Sequence, residues 1–285
     1  MADDCVLFLT DTHAGTDRPA WTRQTPRGDL LPLIAEGAGR LARRRGAGLI
    51  VHGGDLTDAG DLDVARRMTG RLGLPVAACL GNHDLMAPDA AAAWQAAAIP
   101  GLALAPAVVP LAHVDLVLVT CAWTCGGRTA LFWDGELPVE ALGEEQAEWL
   151  DAALAASRDK PACLVIHAPP DPLPPRLTGL DAPLHGPPAT YAEDLGRLLD
   201  AHPRVRLVLA GHNHATCAVA HGERVHLSTS SAIEVPFEVR LVRFGPRGLG
   251  VETLAAIARP PDADYDETAR WVNGLPEDRT VEVAY

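Results

Sequence analysis

Lysine is almost missing from this chain: Lys160 is the single one among 24 basic residues, which are outnumbered by 37 Asp and Glu. The formal net charge is −13 at pH 7. Nonspecific nucleic-acid binding draws on many basic side chains that neutralise phosphates, so duplex nucleic acid is not expected as the partner. Cysteine is sparse as well, six in 285 residues. These cysteines read as small buried hydrophobes rather than a disulfide scaffold. Cys121 and Cys125 have the spacing of half a zinc site, but no second Cys or His pair follows at finger-like spacing. A long apolar run is also lacking. The longest uncharged stretch, residues 90–112, holds Gln95 and is broken by Pro100, Pro106 and Pro110, which argues against a membrane span. Only five residues, with no basic segment, precede the first apolar run, so no signal peptide and a cytoplasmic location are expected.

What is present is an alternation of short apolar runs with longer amphipathic stretches, the pattern of an α/β fold. Residues 6–9, 49–51 and 76–80 read as strands, with helices at 30–45 and 61–72. An alanine-rich helix at 89–98 precedes strands near 107–111 and 116–121. A helix at 144–156 leads into a strand at 163–166, and one at 191–201 into 205–210. Beyond Gly211 the runs shorten to 217–220, 224–228, 238–244 and 250–255, an antiparallel end. One domain, 1–258, is expected, followed by an acidic tail, 259–285. Trp271, Tyr265 and Tyr285 in that tail point to docking on the body or on a second copy of the chain, a homo-oligomer, with a loosely ordered end as the competing reading. Residues 168–188 carry eight prolines and should form an extended loop beside His167.

Five of the strand candidates end within a few residues of a metal-capable side chain. These are Asp11-Thr-His13, Gly53-Gly54-Asp55, Gly81-Asn82-His83-Asp84, His167, and Gly211-His212-Asn213-His214. Turn chemistry alone explains any one of them. In open α/β sheets, however, the carboxyl ends of the strands share one crevice, so the five together describe a site. Oxygen and imidazole donors without thiolate suit Mn, Fe, Co, Ni or Zn.

This ordered signature resembles the calcineurin-like metallophosphoesterases, and within them is most similar to the class III cyclic-nucleotide phosphodiesterases and bacterial glycerophosphodiesterases. The resemblance implies a four-layer αββα sandwich of mixed sheets flanked by helices. It implies two divalent or trivalent transition-metal ions, with Asp11, His13, Asp55 and His214 at one and Asp55, Asn82, His167 and His212 at the other, Asp55 bridging. It further implies hydrolysis of a small-molecule phosphodiester by a hydroxide shared between the ions. His83 would face the substrate as proton or hydrogen-bond donor, and Asp84 would orient its ring or cap the turn that follows. A phosphomonoesterase with the same site and a noncatalytic scaffold of the same fold are the competing readings; retention of every ligand together with His83 weighs against the scaffold. Relatives often carry His-His-Pro-Pro where this chain has His167-Ala168-Pro169-Pro170, which bears on substrate and not on metal. Few cations stand near these motifs, Arg158 and Arg176 among them, so a singly charged diester is expected over a dianionic monoester. Among the remaining histidines, His185 in the proline-rich loop is the one placed to affect specificity.

Overall fold

The computed structural model describes residues 4–16, 23–135, 139–156 and 159–285. Its first strand, Asp4–Leu9, shows how the layers arise. With a side-chain period of two, Val6 and Phe8 enter a core shared by two facing sheets, while Leu7 and Leu9 enter the core beneath the helices. A strand buried on both faces reads as an unbroken apolar run, which is why this one is visible in the sequence.

The first sheet runs in the order Thr280–Ala284, Gly248–Ala255, Glu238–Gly245, Asp4–Leu9, Leu49–His52, Val76–Ala78 and Leu102–Leu104. The last four of these are mutually parallel and the rest antiparallel. The second sheet runs Cys217–His221, Arg224–Ser228, Val205–Ala210, Ala162–Val165, Asp115–Leu118 and Ala107–Pro110, parallel at the centre and antiparallel at both edges. The helix Leu31–Arg44, paired with Leu62–Leu72, lies on the first sheet, and Glu144–Ala156, paired with Ala189–Ala201, lies on the second. The result is helices, sheet, sheet, helices, with mixed sheets inside. Asp61 starts Leu62–Leu72 by accepting the backbone N–H groups of Asp63 and Val64 at 2.9 and 3.0 Å. A small third sheet, Arg128–Ala130, Ala122–Cys125 and Glu140–Ala141, sits over the strand ends. Among the described residues no helix is long and apolar enough to cross a membrane.

The last residues of the chain are built into this body. Thr280–Ala284 pairs antiparallel with the strand Gly248–Ala255 and closes the edge of the first sheet. Just before it, the buried Asp278 carboxylate accepts both Arg176 guanidinium nitrogens at 3.0 and 2.7 Å and the Ala218 N–H at 2.8 Å. Its backbone carbonyl accepts from Arg240, a fully buried guanidinium that also donates to the Ser228 carbonyl and the Thr229 hydroxyl. Removing one partner of a buried charged network leaves the others without compensation. Asp278→Ala is therefore expected to lower the unfolding free energy by about 3 kcal/mol, read as a lower denaturant midpoint. An unchanged midpoint would mean that this network contributes nothing to stability.

Candidate metal centre

Five strands, three from the first sheet and two from the second, deliver the motif residues to one edge of the sandwich. Each strand ends in a tight loop, and the backbone there is unusual. Asp11, His13, Asp55, His212 and His214 all have positive φ, between 37° and 67°. Such geometry is uncommon outside glycine, is tolerated best by Asn, Asp and His, and collects at functional sites. The neighbouring glycines allow the loops to close: a Cβ on Gly81 would lie 2.1 Å from Asp55 Oδ1, and one on Gly211 would lie 2.3 Å from Asp11 Oδ2. Side chains at these two positions would push the carboxylates out of place.

Asp11 and Asp55 lie at the centre, both buried. Asp11 Oδ1 is 3.4 Å from His214 Nε2 and 3.8 Å from His13 Nε2, and both its oxygens receive the His212 N–H at 3.2 Å. Asp55 Oδ2 is 3.6 Å from His13 Nε2 and 3.3 Å from His167 Nε2, while its Oδ1 accepts the His83 N–H at 2.9 Å. His13 Nε2 and His214 Nε2 are 3.3 Å apart. Three sets of donor atoms fall within 4.8 Å of one another: Asp11, His13 and His214; Asp11, Asp55 and His167; and His13, Asp55 and His83.

Three imidazoles are each held at one nitrogen by an oxygen, and a fourth has a carboxylate nearby. His167 Nδ1 lies 2.8 Å from the Gly53 carbonyl, His212 Nε2 lies 2.9 Å from Glu140, His214 Nδ1 meets Glu234, and His13 Nδ1 is 3.5 Å from Asp58. An acceptor at one ring nitrogen fixes the tautomer and directs the other nitrogen outward as a ligand. For His13, His167 and His214 that other nitrogen is Nε2, and it faces Asp11 or Asp55. His167 Nε2 and Asn82 Oδ1 are both buried without a hydrogen-bond partner. Unsatisfied buried polar atoms, one of them facing Asp55, are what bound cations would explain, so these residues fit divalent ions.

The electrostatics agree. Burial alone raises a carboxylic acid, yet His214 and His167 hold Asp11 down to about 2. Burial likewise opposes the charge on His167 and His214, but the carboxylates around them lift these to about 9 and about 10. The cluster is a pit of negative charge that favours any cation, proton or metal.

His212 falls in none of the three donor sets, although its backbone clamps Asp11 and its ring centroid lies 5.1 Å from that of His167. The expectation that Asp84 orients His83 is corrected. Asp84 is fully buried and its carboxylate accepts N–H groups from Leu56, Thr57 and Gly81 at 2.9–3.1 Å, with the Thr57 hydroxyl at 3.0 Å. It ties the Asp55 loop to the Asn82 loop. The carboxylate that meets the His83 ring is Asp58, whose Oδ1 lies 3.0 Å from His83 Nδ1. Burial depresses the His83 ring, but Asp55 and Asp58 outweigh it and the pKa is raised. Trp133 and His13 pack against the same ring, with centroids 4.8 and 4.7 Å away.

Sequence reasoning missed Asp58, Glu140, Glu234 and Arg23. Asp58 had a signal, a second carboxylate three residues after Asp55. Glu140 and Glu234 had none, since only the fold brings them to His212 and His214. The Arg23 backbone N–H donates to Glu234 at 3.1 Å, and its guanidinium reaches His185 of the proline-rich loop. Arg176 faces away, committed to Asp278 and the Ala218 carbonyl. Arg158 lies outside the described residues. All six cysteines are free, and Cys125 and Cys121 take no part in the centre.

A two-sheet sandwich that gathers carboxylates and imidazoles at its strand ends fits a metal centre, and the sequence identifies the class as metal-dependent hydrolases of phosphoric esters. The chain belongs to the calcineurin-like phosphoesterase family, whose sequence profile matches residues 6–216. No curated protein matches the sequence. Among solved structures it is similar to a dimetal phosphatase from Danio rerio, at 14% identity and a TM-score of 0.68 over 100% of both chains. It is similar to the purple acid phosphatase PPD1 of yellow lupin seeds, at 12% identity and a TM-score of 0.62 over 99% of this chain and 54% of that one. GAP50, described as the anchor in the inner membrane complex of Plasmodium, shares 11% identity and a TM-score of 0.60 over 100% of this chain and 89% of that one. At these identities the likenesses show a common fold.

Proposed function

We propose that the chain hydrolyses small phosphodiesters at a pair of transition-metal ions, one held by Asp11, His13, Asp55 and His214, the other by Asp55, Asn82, His167 and His212, with Asp55 common to both. The observation that carries this reading is the set of imidazoles, two of them tied at Nδ1 to Gly53 and Glu234, with His13, His167 and His214 turning Nε2 toward Asp11 and Asp55. When bound, two such ions supply an acidified water and positive charge for the phosphoryl oxygens. The protein residues do the rest. Asp84 fixes the separation of the Asp55 and Asn82 loops. Asp58 holds His83 Nδ1, which leaves the proton for transfer on Nε2 and supports His83 as donor to the leaving-group oxygen. Glu140 sets the His212 ring so that Nδ1 is its ligating nitrogen.

A diester carries one negative charge and a monoester close to two at neutral pH, so a monoesterase gains from cations beyond the metals. Arg176 supplies none, being turned to Asp278. With matched metal loading, kcat/KM for bis(p-nitrophenyl) phosphate is expected to exceed that for p-nitrophenyl phosphate. The reverse order by about tenfold would establish the monoesterase reading, with Arg23 as the first residue to test for contact with the second charge.

A further inference from the structure

Asp171 lies in the proline-rich loop four residues after His167, and its carboxylate contacts the hairpin formed by Cys217–His221 and Arg224–Ser228. In that hairpin Val219 faces His226 and His221 faces Arg224. His221 and His226 are therefore diagonal neighbours on one face of the sheet. His221 Nε2 lies 2.9 Å from Asp171 Oδ1, and His226 Nδ1 lies 2.5 Å from Asp171 Oδ2. The two rings lie nearly face to face, with centroids 4.3 Å apart and planes 31° from parallel. One donor atom from each residue falls within 4.8 Å of the others, and none of the three residues belongs to the centre described above.

We propose that Asp171, His221 and His226 form a separate mononuclear site for zinc or a zinc-like ion such as cobalt or nickel. Two imidazoles and a carboxylate are a donor set for such ions, and three protein ligands leave one tetrahedral position for water. The surroundings permit it. The His221 side chain is 40% exposed, so solvent reaches the open position. Arg224, opposite His221 in the hairpin, is engaged with Asp200 and the Leu199 carbonyl, each at 2.7 Å. Donor atoms around an ion at 2.0–2.1 Å stand about 3.3 Å apart, so the two His–Asp171 contacts, at 2.9 and 2.5 Å, must open by a few tenths of an ångström to somewhat under 1 Å. Protons balance simply: the proton each imidazole directs at Asp171 moves to its other ring nitrogen as the ion takes its place. For His226 that nitrogen, Nε2, is buried without a partner. Binding should accordingly be weaker than at a closed four-ligand structural site. The ion would pin the loop that leaves His167 to the hairpin at the sheet edge.

Zinc titrated calorimetrically into chelator-treated protein tests the site by difference. His221→Ala, at an exposed position that the fold tolerates, and Asp171→Asn should each bind one equivalent less than wild type. His202→Ala, which removes another surface His–Asp pair, should bind the same number as wild type. The difference stands whatever the main centre holds, so its failure and that of the proposed function are distinguishable. Equal stoichiometry in wild type, His221→Ala and Asp171→Asn overturns the site, and so does loss of the same equivalent in His202→Ala.

Discussion

Asp55→Ala should keep the fold, lose metal from both ion positions and hydrolyse phosphoesters at least about 10³-fold more slowly than wild type, since removing even one stabiliser of the reacting oxygens costs about 10²–10³. One oxygen of this carboxylate reaches toward both histidine groups, with Oδ2 at 3.6 Å from His13 Nε2 and 3.3 Å from His167 Nε2. Its loss also frees the His83 N–H, now held by Oδ1. Alanine at a φ of 51° adds local strain, so Asp55→Asn is the better companion, because asparagine tolerates that region and preserves the shape while dropping the charge. Both variants should fail to retain metal on elemental analysis, with unchanged circular dichroism. Protons compete for the same nitrogens, because the carboxylates that attract metal also lift His167 to about 9 and His214 to about 10. Metal affinity should consequently fall as pH drops, and loading should release protons, visible as buffer-dependent heats. Full activity of wild type in excess chelator would sink the two-metal reading.

Much of this site was legible because parallel strands bring their carboxyl ends together, so five short motifs scattered from Asp11 to His214 already described one place. The strands themselves were legible where burial on both faces makes an apolar run, as in Asp4–Leu9 and Val205–Ala210. Less legible were elements whose identity depends on a partner. Thr280–Ala284 is an edge strand of alternating exposure, recognisable only beside Gly248–Ala255. The three short strands over the site, two or three residues long apart from Ala122–Cys125, carry too little pattern to stand out. The same reasoning separates the ligands from their supports. Asp55 sits in a glycine-bounded turn that announces itself, whereas Glu234 and Glu140 are ordinary acidic residues until folding sets them against His214 and His212. Asp84 shows the opposite error, since adjacency to His83 in sequence suggested contact, while the tight turn at residues 83–85 sends its carboxylate to Leu56 and Thr57 instead.

His83→Ala should retain its metals and still lose turnover by about 10²–10⁴-fold, the usual contribution of one general acid, or roughly 3–5 kcal/mol of barrier. The ring is positioned for that role by three neighbours: Asp58 at Nδ1, with Trp133 and His13 packed on the ring. A truncated side chain leaves the backbone N–H of residue 83 on Asp55, so the proposed metal ligand keeps its hydrogen bond. Asp58→Asn supplies a second arm that truncation cannot. Burial pulls the His83 pKa down and the Asp55 and Asp58 charges more than restore it, so removing one of those charges should lower it. A donor works in its protonated form, and activity falls as pH rises through its pKa. The basic limb of the kcat/KM profile should therefore move to lower pH in Asp58→Asn, with metal content checked because the same carboxylate stands 3.5 Å from His13 Nδ1. Loss of metal in His83→Ala would assign the ring to an ion, as its place in a donor set with His13 and Asp55 permits. Retained metal with retained turnover would instead remove His83 from the chemistry and leave the ions to act without a protein acid.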